Sequence, residues 1–94
     1  MIRAIFFSAE WCAPCKILKP IWSKLVEEFG GKMAFEVVDI DSNSQMASEM
    51  KIMAVPTIIF VDGENVLNSV VGLIGEDKLK EKIEGMLKKE VESI

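Results

Sequence analysis

With 94 residues the chain has room for one hydrophobic core and none for a second, so a single domain over residues 1–94 is expected. Charged residues make up 28% of it and leave a net charge of −4, with a sequence pI near 4.8 and no basic run to follow a phosphate backbone, which sets nucleic acid aside as a partner. The apolar start Ile5-Phe6-Phe7 is too short to span a bilayer and lacks the hydrophobic region and small-residue cleavage site of a leader, so a cytoplasmic protein without membrane contact is expected.

The run Ile2 to Phe7 is too apolar for an alternating half-exposed strand and predicts one covered on both faces, as a parallel sheet requires. It leads into Trp11-Cys12-Ala13-Pro14-Cys15-Lys16, which holds both cysteines of the chain. That spacing lets the two sulfurs close a small ring across one helical turn, so the pair can pass between dithiol and disulfide with little backbone movement. A helix opens here, and its unpaired N–H groups and positive dipole end favour a thiolate on the first cysteine. Cys12 is therefore the candidate nucleophile. Cys15, one turn deeper, is the candidate resolving thiol. Trp11, directly before the reactive sulfur at a strand-to-helix turn, reads as a lid and apolar contact surface. Lys16 is either a cation near the thiols or a solvated first-turn residue, and Glu10 is expected to be exposed.

Ile17, Leu18, Ile21, Trp22, Leu25, Val26 and Phe29 recur at helical spacing and predict one wide apolar stripe, closed by Gly30-Gly31. Pro14 falls in the first turn, where a missing N–H costs little. Pro20 should kink the helix without ending it, because the stripe continues in phase. Ala34 to Ile40 reads as a second buried strand ended by Asp41-Ser42-Asn43, and Ser42 with Gln45 suggests a capping box for a short helix carrying Met46, Ala47 and Met50. Met46, Met50 and Met53 read as flexible core filler, with a second reading for Met53, three residues before Pro56, as the softener of a docking surface. Thr57 to Val61 and Val66 to Val71 read as strands joined across Asp62-Gly63 by a hairpin, and Glu76 to Val91 as an amphipathic helix. The order β-α-β-α-β-β-α implies an α/β fold with a four-stranded mixed sheet: a right-handed parallel crossover joins the first two strands, the last two are antiparallel, and helices cover both faces.

Two cysteines also allow blander uses. A structural zinc site wants four N or S ligands, and with no histidine and no third cysteine it would need a second chain. A structural disulfide across so short a loop would constrain little of the unfolded chain. Redox chemistry fits better, since a cytoplasm keeps ordinary thiols reduced and a dithiol there reads as catalytic.

Ala9-Glu10-Trp11-Cys12-Ala13-Pro14-Cys15-Lys16 resembles the active-site segment of the thioredoxin family, departing from its usual Gly only at Ala13. Val55-Pro56-Thr57, directly before an apolar strand, is similar to the cis-proline loop that faces the cysteines in that family. The resemblance covers most of the chain and implies a thioredoxin-like fold. In it a cis Val55-Pro56 bond offers the Val55 backbone to a bound peptide, and Gly72 keeps the same groove open. Trp11, Ala13, Pro14, Val55, Pro56 and Gly72 are thus the implied substrate-binding residues. Relative to a full thioredoxin the leading strand and helix are missing, leaving the core that glutaredoxins share. The strand Ala34 to Ile40 is then expected at a sheet edge, in a monomer or, alternatively, an edge-to-edge dimer. A second departure lies under the site: the buried Asp of thioredoxins, six residues before the nucleophile, is matched by Phe6, and its Lys partner on the neighbouring strand by Val37.

The resemblance implies a thiol–disulfide oxidoreductase acting on disulfide-containing proteins through Cys12 and Cys15, with no cofactor beyond that pair and no metal. Its electrons would come from a flavin-dependent thioredoxin-type reductase or from glutathione. Trp11 and Ala13-Pro14 favour the first source, the short frame the second. The alternative is a non-catalytic thioredoxin-like binding or redox-regulatory module, a reading kept open by the missing buried acid.

Overall fold

The computed structural model describes residues 1–92. The apolar first run forms β1 (Ile2–Ser8), and the chain continues through α1 (Ala13–Phe29), β2 (Ala34–Asp39), α2 (Ser44–Glu49), β3 (Thr57–Asp62), β4 (Asn65–Val71) and α3 (Glu76–Glu92). The strands lie in the order β2-β1-β3-β4. β1 is parallel to β2 and antiparallel to β3, and β3 and β4 form an antiparallel hairpin. The expected order, mixed sheet and two-sided helix cover are all present. No described helix is long and apolar enough to cross a membrane.

Because β1 is central, alternate side chains enter different cores. Ala4 and Phe6 join Leu18, Trp22, Leu25 and Phe29 of α1 and Leu79 and Ile83 of α3. Ile5 and Phe7 pack on the opposite face with Val38, Ile59 and Val61, under Met46 and Met50. Met46 of α2 and Met50 at its C-terminal cap thus fill core gaps, as their flexibility suits them to do.

Three expectations need correction. α1 is one continuous helix through Pro20, but its buried stripe is narrower than the periodicity suggested: Ile17 is 57% exposed and Val26 39%. A helix resting on a sheet seals only the residues aimed at it, and these two flank that contact. The capping box does not form. Asn43 rather than Ser42 precedes α2, no side chain caps it, and Gln45 Nε2 donates to Glu49 Oε1 at 3.1 Å. The reason is local competition, because Asp39 Oδ1 already accepts the N–H groups of Asp41 (2.8 Å) and Ser42 (3.4 Å) and curls the chain before the helix starts. Finally, Val37 is paired with Phe6 as anticipated, yet it is 52% exposed, so it is no buried position.

The β3–β4 connection is tighter than expected. Gly63 and Glu64 form a two-residue loop, and Gly63 alone takes a positive φ (62°), as a type II′ turn requires at its first central position. α1 and α3 are also linked across their exposed sides by Lys24–Glu76 (3.6 Å) and Lys80–Glu28 (2.8 Å). The hydrogen bond and charge of Glu28 raise the Lys80 pKa above its ordinary value.

Register decides where the functional segments meet. Ser8 lies opposite Asp39, Phe7 opposite Thr57, and Thr57 opposite Val71. The chain leaving β1, the turn after β2, the approach to β3 and the exit from β4 therefore gather at one end of the sheet.

Candidate active site

At that end Cys12 has extended backbone (φ −90°, ψ 106°) and takes the N-cap position of α1, with Pro14 in the first turn. Its Sγ accepts the Cys15 backbone N–H at 3.2 Å, while the Cys12 N–H donates to the Ala9 carbonyl, also at 3.2 Å. The sulfurs of Cys12 and Cys15 are bonded to each other, with the Cα atoms 5.3 Å apart, so this is the oxidised form of the pair. A helix N-terminal N–H aimed at the Cys12 sulfur favours negative charge there once the bond opens. Cys15 is fully buried and Cys12 is 4% exposed. Access to Cys12 is therefore a narrow opening among exposed neighbours: Glu10, Trp11, Ala13, Pro14 and Lys16.

Trp11 is 68% exposed, and its Nε1–H donates to Asp41 Oδ2 at 2.9 Å. Since Asp39 holds the Asp41 N–H, the ring is tied through two carboxylates to the end of β2. The sequence pattern marks Asp41 only as the end of a strand. What could have raised it is its place just past a strand parallel to β1, which brings it to the same sheet end as Trp11.

Across the opening, the Val55-Pro56 bond is cis. Pro56 is buried, and Val55 is half-buried against the core cluster that contains both cysteines. Gly72 has φ +94°, its N–H donates to the Pro56 carbonyl at 2.8 Å, and the space where a Cβ would sit is open. The glycine is thus required by its backbone, and it leaves the surface beside Pro56 clear. Thr57 supplies a clamp that sequence reasoning missed, its Oγ1 donating to the Ala54 carbonyl at 2.7 Å. The structure brings Trp11, Cys12, Ala13, Pro14, Cys15, Val55, Pro56 and Gly72 to one end of the sheet.

Beneath the sulfurs the environment is apolar. Phe6 is fully buried in the same cluster as Cys12 and Cys15 and meets Trp22 edge to face, with ring centroids 5.4 Å apart. The buried polar side chains among the described residues are Ser8 and Thr57, so no described carboxylate is buried near Cys15. Among the described residues no group of three or more His, Cys, Asp or Glu side chains is placed to hold a metal ion.

A family model described as Thioredoxin matches residues 3–85. The chain belongs to the thioredoxin family. It is 41% identical over 74 residues to the mitochondrial thioredoxin of Mus musculus, a match covering 79% of this chain and 45% of that protein. A Staphylococcus saprophyticus thioredoxin is 37% identical over 84 residues, covering 88% of this chain and 80% of its own length. Thioredoxin X of Arabidopsis thaliana, chloroplastic, is 40% identical over 83 residues, 86% of this chain and 46% of that protein. The chain thus spans about half the length of some of its relatives and most of the length of others. Within the thioredoxin frame, Phe6 and Val37 face one another in register where the family's buried acid and its partner were expected.

Proposed function

We propose that this protein is a thiol–disulfide oxidoreductase that reduces disulfides in other proteins. The observation that carries this reading is the bonded Cys12–Cys15 pair at a helix start, with the Cys15 N–H aimed at Cys12 Sγ. In the reduced protein the Cys12 thiolate attacks one sulfur of a substrate disulfide. That S–S bond breaks, the other substrate sulfur leaves as a thiolate, and a mixed disulfide joins Cys12 to the substrate. Cys15 gives up its proton and attacks Cys12 Sγ, so that the Cys12–Cys15 bond forms and the second substrate thiol departs. Two electrons pass from protein to substrate, and a flavin-dependent thioredoxin-type reductase or glutathione returns them.

In this reading Trp11, Ala13 and Pro14 form one wall of the substrate site, and Val55, Pro56 and Gly72 form the other. Val55 lends its backbone to an extended substrate segment. With Phe6 in place of an acid, the Cys15 proton leaves to water, to Glu10 or to the substrate.

One observation favours a second reading, a non-catalytic binding or redox-regulatory module: no described carboxylate is buried near Cys15. Insulin reduction with dithiothreitol separates the two. An oxidoreductase precipitates insulin far faster than its Cys12→Ser variant does, and equal rates for the two proteins would leave the binding module standing.

A further inference from the structure

The chain has six methionines, and they divide sharply by environment. Met33 is 1% exposed, and Met46, Met50 and Met86 are partly buried. Met53 is 94% exposed and Met1 73%. Met53 does not hang on a loose loop. On one side the Ile52 N–H donates to the Ala47 carbonyl of α2 at 2.9 Å, and on the other the Ala54 carbonyl accepts the Thr57 hydroxyl at 2.7 Å. It is the unsupported apex of a segment pinned at both ends, three residues before Pro56. At the same end of the sheet lie exposed Trp11 (68%), Val71 (68%) and Leu73 (50%). A flexible thioether adapts to varied apolar partners, and it is also the oxidisable apolar side chain of that rim.

We propose that Met53 is an oxidation site that sets the affinity of this protein for its substrates. The oxidant is a hydroperoxide: a sulfur lone pair attacks the terminal peroxide oxygen, the O–O bond breaks, an S–O bond forms, and water or an alcohol leaves. The thioether loses two electrons to become the sulfoxide, and the peroxide gains them. The product side chain is polar where an apolar contact was offered, so docking weakens while the cysteine pair is untouched. The proposal rests on the oxidoreductase reading for its docking half; the preferred oxidation of Met53 stands without it.

The test begins with the disulfide form, in which neither cysteine is a free thiol. Dilute hydrogen peroxide is applied and removed, the sulfoxides are mapped by peptide mass, and insulin reduction is then followed with dithiothreitol as electron source. Met53 sulfoxide should form at least as early as that of Met1 and well before the other four. The oxidised protein should show KM raised about tenfold with kcat unchanged, the mark of lost uniform binding. Met1, at the opposite end of the sheet beside Asp62, is the internal control. A Met53→Leu variant, oxidised at Met1 alone, should keep its KM. First oxidation at Met33, Met46, Met50 or Met86 overturns the proposal, as does an unchanged KM with Met53 fully converted, or an equal loss in Met53→Leu. An untreated protein no better than Cys12→Ser sinks the oxidoreductase reading and the docking effect together, whereas an active protein indifferent to Met53 oxidation sinks the present proposal alone.

Discussion

Phe6→Asp places a carboxyl where the sequence departs from the family pattern, and its cost can be worked from the packing. Phe6 is fully buried and contacts Trp22 edge to face. Burying an aromatic side chain removes about 180 Å² from water, worth about 4.5 kcal/mol, and the ring pair adds about 1 kcal/mol. A buried carboxyl without a partner costs about a further 2 kcal/mol even when protonated. Together these approach the whole stability of a chain this size, about 5 to 14 kcal/mol. Val37→Lys supplies the remedy. Val37 is the register partner of Phe6 and is 52% exposed, so a lysine stem can lie over the site with its ammonium within reach of both water and the carboxylate. The double variant should recover about 2 kcal/mol, the scale of a hydrogen bond to a charged group. Urea unfolding followed by tryptophan fluorescence measures both. The sign of the pH dependence follows from burial, which raises the folded pKa of the new Asp above its unfolded value of about 3.9. The variant's deficit relative to the parent is therefore smallest below that value and grows as pH rises through the folded pKa. A single variant within about 1 kcal/mol of the parent, or a double variant with no recovery, would refute the reasoning, since the first lies far below the burial term and the second denies the pairing.

In the reduced protein Cys12 should react with iodoacetamide before Cys15, because Cys15 is fully buried and a helix N–H faces Cys12; peptide mapping after partial labelling checks this, and Cys15→Ser should accumulate a mixed disulfide with substrate. Asp41→Ala should free the Trp11 ring and raise KM about threefold while changing stability by less than about 1 kcal/mol, and Asp41→Asn, which keeps an acceptor oxygen, should stay near the parent. Gly72→Ala should cost about 1 to 2 kcal/mol by thermal unfolding, a backbone cost, since the Cβ meets nothing within 4 Å; an unchanged midpoint would mean that Gly72 can leave φ +94°.

What was legible in the sequence was whatever local pattern controls. β1 could be read from its apolar run, interrupted only by Arg3 near its start, because a strand covered on both faces has almost no polar side to show. The cysteine pair could be placed because a strand pattern stops and a helix pattern starts around it. Illegible features depend on partners distant in the chain. The Trp11–Asp41 bond spans 30 residues, and nothing local to either residue announces it. The exposure of Val37 is equally hidden, because an apolar run marks a strand and says nothing of how far the cover over it extends, and β2 lies at the sheet edge. The capping box failed for a related reason: Ser42 had the right residue three positions on, but Asp39 competed for the same amides from the other side.

β1 lies between β2 and β3, strands that follow it at increasing distance along the chain. Until β3 exists, β1 has at most one edge paired and neither of its two cores can close, so a nascent chain or fragment ending before Asp62 keeps that apolar strand unsheltered. Closure around β1 therefore waits for β3. The cysteines hang from the end of the same strand beside Trp11, Ala13 and Pro14, while Val55, Pro56 and Gly72, the opposite wall in the proposed site, come from the approach to β3 and the exit from β4. A fragment holding both thiols has the reagents without the site, and its redox behaviour should be that of a flexible peptide.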